Sequence, residues 1–88
     1  MSSSFEVVYH PDVARKDLPK ISHDIKQKIK HSIEVKLVHA PEEFGEPLRR
    51  TLKGYWKLRV GDYRVICKIT GKTVTVFRIG HRREVYQD

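Results

Sequence analysis

The order of apolar patterns along the chain predicts an α+β fold: a small antiparallel sheet of about four strands, with two N-terminal helices packed on one face. Three features carry this prediction. FEVVYH near the N-terminus alternates as a strand does. A helix-period stripe of isoleucines follows it. The second half then holds three strand-like runs separated by Gly-Asp and Gly-Lys pairs.

Residues 5–10 are rich in β-branched and aromatic types and alternate with period two, which suits a strand. Pro11 fits the first turn of a short helix, and Asp12 is favourable at its positive end. That helix is expected to stop near Leu18-Pro19, because the residue before a proline is pushed out of helical geometry. Ser22 is a good N-cap for a second helix, with Asp24 in its first turn. Ile21, Ile25, Ile29, Ser32, Ile33 and Leu37 share a stripe roughly 160° wide, and the helix should end near His39-Ala40-Pro41. APEEFGEP is a turn-rich connector and LRRTL is expected to be extended. Residues 55–60, 63–70 and 73–79 read as a meander, with Gly61-Asp62 and Gly71-Lys72 as hairpin turns. There are no repeats or linkers, so residues 1–88 are expected to form one domain. A chain of this length removes about 60–65% of its extended surface from water.

Composition narrows the function. Net charge is +7, with 39% hydrophobic and 33% charged residues, which fits a folded chain and not a disordered one. Residues 1–44 carry seven Lys/Arg against seven Asp/Glu; residues 45–88 carry eleven against Glu46, Asp62, Glu84 and Asp88. The whole excess lies in the second half, which points to a polyanionic or acidic partner. No basic amphipathic helix with exposed aromatics is present, so a membrane surface is the weakest of these readings. The lone Cys67 sits in an apolar strand pattern and excludes a disulfide framework. A signal peptide is not expected, and the cytoplasm is the expected location. His10, His23, His31, His39 and His81 lack ligand spacing, so neither metal nor other cofactor is expected.

Within KGYWKLRVGDYRV, period two puts Trp56, Leu58 and Val60 on one face and Tyr55, Lys57 and Arg59 on the other. If the helices cover the apolar face, these cations line the open one, with Arg64 close by on the next strand. Solvation of a half-exposed sheet accounts for some of them. Yet converging like charges repel, and no run of carboxylates offsets them. The tail HRREVY adds His81, Arg82, Arg83 and Tyr86, with Val85 available to pin it.

PLRRTLKGYWKLRVGDYRVICKI and VTVFRIGHRREVY, with FEVVYHPDVARKDLPKIS and the long helix before them, resemble the RelE/ParE toxin superfamily over nearly the whole chain. The resemblance implies a RelE-like toxin held inactive by a cognate antitoxin, with operator DNA bound only through the antitoxin complex. RelE-type members cleave mRNA on the ribosome, whereas ParE-type members poison DNA gyrase. It also implies that Lys57, Arg64, one tail arginine and Tyr86 occupy catalytic positions. Two departures stand out. Tyr55 replaces a lysine of the family pattern, and a shorter tail makes Arg82 and Arg83 compete for one role, with Arg82 preferred.

RNA carries its own nucleophile. Attack by a 2′-hydroxyl on the adjacent phosphorus needs a base, a proton source and fixed positive charge, but no metal. Lys57 is a candidate base or phosphate anchor. Arg64 has the planar fork for two phosphate oxygens, and His81 is a better proton donor than a guanidinium. Tyr55 or Tyr86 could stack on a splayed base. Arg59, Tyr55, Lys53, Arg83 and Arg78 are expected to hold the RNA. Glu46 is a weaker candidate for acid–base work, while Trp56 and Phe77 are expected in the core.

Overall fold

The computed structural model describes residues 5–39, 46–47 and 54–85. Strand β1 (Glu6–Tyr9) leads into two short helical segments, Val13–Asp17 with π geometry and Leu18–Lys20 with 3-10 geometry. Helix α1 (His23–Ser32) follows and widens into a π segment over Ile33–Leu37. The two-residue strand β2 (Glu46–Pro47) precedes the meander β3 (Tyr55–Val60), β4 (Tyr63–Thr70) and β5 (Thr73–His81), and a last helical turn, α2, spans Arg82–Val85.

The strand order is β1-β5-β4-β3-β2. The α+β class and the helices on one face are as the sequence predicts, but the sheet is mixed. β1 pairs parallel with β5, from Glu6↔Thr73 to Tyr9↔Val76, while the other pairs are antiparallel. The reason is the path of the chain. After β1 it crosses the sheet through the helices and enters the meander at the far edge, so the last strand ends beside the first. Both meander turns open on a glycine with φ +59°, a conformation that L-residues avoid.

The core lies between the helices and the sheet. Ile29, Ile33 and Leu37 are buried with Val13, Leu58, Val65, Val74, Val76 and Ile79, and Ile25 and Trp56 pack against them at the margin. Each fully buried aliphatic side chain here contributes about 1.5–3 kcal/mol of transfer free energy. Ser22 caps α1 as expected, its hydroxyl accepting from the Ile25 N–H. The π segment is a departure from the regular helix, closed by Val38 N–H donating to the Ile33 carbonyl at 3.2 Å. A wider turn adds less rotation per residue, so Leu37, at the margin of the regular-helix stripe, stays on the core side. The first helical segment is likewise wound wider than expected, and Pro19 sits within its 3-10 continuation instead of ending it.

Cys67 is fully buried, and burial pushes its thiol pKa up to about 12. Its neutral form is therefore favoured by folding. That contribution is complete below the unfolded-state pKa and is lost as pH rises from about 8.5 toward the folded value. Cys67 should resist alkylation at pH 8 in the native state and react at once in denaturant; fast native labelling would contradict its placement. Among the described residues, no helix is long and apolar enough to cross a membrane.

Candidate nucleic-acid interface

The ladder registers fix what shares the face opposite the helices. Leu58 pairs with Val65 and Val65 with Ile79, all buried inward, so the residues between them point outward. One cross-strand row on the open face is Lys57–Ile66–Arg78, and the next is Arg59–Arg64–Gly80. Lys57, Arg59, Arg64 and Arg78 thus meet on adjacent strands, as the sequence pattern anticipates for the first three. The backbone of Glu46 pairs with that of Lys57 at the β2 edge. Lys53 and Tyr86 lie outside the described residues.

Arg78 reaches this face through a bulge. Ile66 pairs with Arg78 but Cys67 with Val76, which leaves Phe77 as an extra residue on β5. Without it, strict alternation from Val76 would turn Arg78 into the core and Ile79 out of it. With it, both Phe77 and Arg78 face outward and Ile79 faces inward. Phe77 is therefore not in the core, contrary to expectation. Its ring lies 5.9 Å from that of Tyr55 and 5.5 Å from that of His10. Lys68 extends over the Tyr55 ring, 5.4 Å from its centroid. The sequence signal was available in the break of alternation at VFRI.

Arg64 differs from expectation in a more consequential way. It faces the open side but is only 5% exposed. Its Nη1 donates to the carbonyls of Gly61 and Tyr63, both at 2.9 Å. Directly opposite Arg59, it would otherwise suffer like-charge repulsion; turning the guanidinium onto two carbonyl dipoles relieves part of it. The result is a positive charge held in one orientation beneath the surface.

The tail covers this end of the sheet. α2 packs on β4 and β5, and a Cβ placed on Gly80 would meet Val85 Cγ2 at 3.2 Å and Glu84 Oε1 at 3.5 Å. Gly80 therefore permits the close approach of the tail beside Arg64. Three further bonds secure it. Arg82 N–H donates to the Asp62 carbonyl at 2.8 Å, Arg78 Nη2 to the Glu84 carbonyl at 3.3 Å, and Arg83 N–H to His81 Nδ1 at 3.2 Å. Gly80→Ala is expected to lift α2 at a cost of about 1 kcal/mol, seen as faster tryptic cleavage at Arg82 and Arg83. An unchanged cleavage rate would mean that the tail does not seat on Gly80.

His81 is not gathered with Lys57. The register pairs it with Tyr63, one step beyond the Arg64–Gly80 pair and so on the opposite face, and the two rings meet edge-on at 5.5 Å. With Nδ1 accepting from Arg83, the neutral ring carries its proton on Nε2. His81 lines a cleft of about 610 Å³ with Asp17, Lys20, Tyr63, Arg78 and Arg83. This cleft lies where β5 runs on past the end of β1 while still paired with β4; on the side that β1 leaves open, Asp17 Oδ2 takes over as acceptor for the Ile79 N–H at 2.9 Å. Arg82 and Arg83 are both exposed.

A helical layer on one side of a five-stranded mixed sheet, with cations and a folded-over basic tail on the other, is the architecture of a class of small toxins. The chain superposes on the toxin–antitoxin complex RelBE2 of Mycobacterium tuberculosis with a TM-score of 0.79 at 32% identity, covering 90% of this chain and 99% of that one. Against the RelB–RelE complex of Methanococcus jannaschii the TM-score is 0.72 at 22% identity, covering 90% and 94%. In sequence it is 34% identical over 76 residues to toxin RelG of M. tuberculosis, spanning 84% of this chain and 87% of that protein. Residues 7–86 match the family model described as the ParE toxin of type II toxin-antitoxin systems, parDE. The chain belongs to this family: it is a RelE-like type II toxin of the RelE/ParE superfamily.

Proposed function

We propose that this toxin is a metal-independent endoribonuclease that cleaves mRNA, in association with the ribosome, by attack of a 2′-hydroxyl on the adjacent phosphodiester. The observation that carries the reading is the pair of cross-strand rows on the open face. Lys57 and Arg78 flank Ile66 in one row, and Arg64 lies fixed in the next beside Arg59. An oriented positive charge needs no reorganisation when a phosphorane develops, which is where an electrostatic site gains most of its effect. Lys57 is assigned the base or phosphate anchor, Arg64 the fixed charge, Arg82 and Tyr86 the tail contributions. His81, which the sequence pattern offered as a proton donor, lies on the opposite face from these rows and is assigned no step in the cleavage. Arg59, Arg78, Arg83, Lys53 and Tyr55 hold the RNA.

The partners follow from the same reading. RelBE2 and RelB–RelE are toxin–antitoxin complexes, and by likeness this chain is held by a cognate antitoxin, with operator DNA reached only through that complex. An amphipathic, partly acidic antitoxin segment suits the molecule: an apolar groove of about 500 Å³ is lined by Leu18, Ile29 and Ile33 together with Lys26 and Lys30.

A second reading is a ParE-like inhibitor of DNA gyrase without nuclease activity. The ParE description of the family model favours it, as does the engagement of Arg64 with its own hairpin, which serves stability without chemistry. Purified toxin incubated with ribosome-bound mRNA, in parallel with a gyrase supercoiling assay, separates the two. Cleaved mRNA with unimpaired supercoiling is the expected result; intact mRNA with lost supercoiling would select the second reading.

A further inference from the structure

The bulge on β5 does more than re-phase the strand. It places an aromatic ring on the open face, where the neighbouring outward positions include Ile66, Lys68, Thr75 and Arg78. Tyr55, Phe77 and His10 form a contiguous run of rings from β3 across β4 to the end of β1, with centroid spacings of 5.9 Å and 5.5 Å. Lys68 lies over Tyr55 at the near end of the run, and Arg78 follows Phe77 directly in sequence. Tyr55 stands two residues along β3 from Lys57, about 7 Å at the rise of an extended strand. A sheet face that served only to be solvated has no use for three half-buried rings. Close packing among themselves is one use, but the core on the other face is already filled by aliphatic side chains.

We infer that Tyr55, Phe77 and His10 form a stacking platform for the nucleobases of single-stranded RNA, next to the cationic rows that take its phosphates. The inference rests on the nuclease reading and adds to it the residues that seat the bases. Flat apolar rings flanked by cations match single-stranded nucleic acid, whose bases are free to unstack, better than they match a duplex, whose bases are enclosed. Phe77 is the central member because it contacts both other rings. His10 is oriented by its own neighbours: Nδ1 accepts from the Asp12 N–H at 3.1 Å, which fixes the ring against Phe77.

The test uses full-length toxin and a fluorescent octaribonucleotide with 2′-O-methyl groups throughout, which cannot supply the attacking hydroxyl. A second probe has the same backbone with two adjacent central nucleotides made abasic. Binding is followed by fluorescence anisotropy at low salt. The wild type should bind the abasic probe about 5-fold to 100-fold more weakly, the range that base–aromatic stacking supports. Phe77→Leu, which keeps apolar volume but not the ring, should bind both probes with nearly equal affinity, and Tyr55→Leu should behave in the same direction. Circular dichroism confirms that each variant is folded, and Phe77→Tyr, which keeps the ring, should retain the discrimination. Equal binding of the two probes by the wild type, undiminished discrimination in Phe77→Leu, or no binding of either probe would overturn the platform. The nuclease reading is decided separately by cleavage of ribosome-bound mRNA, so mRNA cleavage without base discrimination removes the platform alone.

Discussion

Arg64→Ala is expected to reduce mRNA cleavage by on the order of 10²–10³-fold, the usual effect of losing one preorganised charge donor. Because Arg64 is buried and bonded to the Gly61 and Tyr63 carbonyls, the substitution should also lower stability, by about 1–3 kcal/mol. The two effects are separable. Cleavage is measured well below the melting temperature of the variant, where both proteins are folded, and stability by urea unfolding. Arg64→Lys should restore part of the stability but little of the activity, since a point charge does not reproduce a planar fork. An Arg64→Ala protein that is destabilised yet cleaves at the wild-type rate would assign this arginine to the hairpin alone.

The largest effect on stability is expected from the helix stripe. Ile33 is buried at the start of the π segment and packs in the cluster that includes Leu58 and Val65. Ile33→Ala removes buried carbons and leaves a cavity that the sheet cannot fill, at a cost of about 2–5 kcal/mol. For a domain of this size that is a large share of the total stability. Val35, two residues on and exposed, supplies the control: Val35→Ala should change stability by less than about 0.5 kcal/mol. Equal losses at both positions would show that the stripe does not face the core.

What the sequence disclosed depended on how local the cause was. The β3–β4 and β4–β5 hairpins were legible because a glycine opens each two-residue turn and the alternation beside it, on β5 only as far as Val76, fixes which residues face inward. The cap of α1 was legible for the same reason: Ser22 and the Ile25 N–H are three residues apart. The parallel pairing of β1 with β5 joins segments some 65 residues apart, and nothing within FEVVYH states its direction. β2 is two residues long, too short to leave a pattern, and one of them is a proline. The candidate site divides in the same way. Lys57 and Arg59 follow from period two within a single strand. The burial of Arg64 depends on a tail that folds back over Gly80, and the position of His81 depends on the phase shift made at Phe77. That shift was written in the sequence, where Arg78 falls at a position that unbroken alternation would bury.

If the open cationic face promotes attack by RNA's own 2′-hydroxyl, the chemistry of the cut ends records it. Purified toxin is added to ribosome-bound mRNA, the reaction is stopped within one turnover, and the 5′ fragment is analysed by mass spectrometry. Attack from the 2′-oxygen expels the 5′-oxygen and closes a ring on phosphorus, so the 5′ fragment should end in a 2′,3′-cyclic phosphate and the 3′ fragment should begin with a 5′-hydroxyl. A 3′-hydroxyl paired with a 5′-phosphate would mean that water attacked instead, and mRNA left intact would mean that this face binds without cutting; either result would contradict the account.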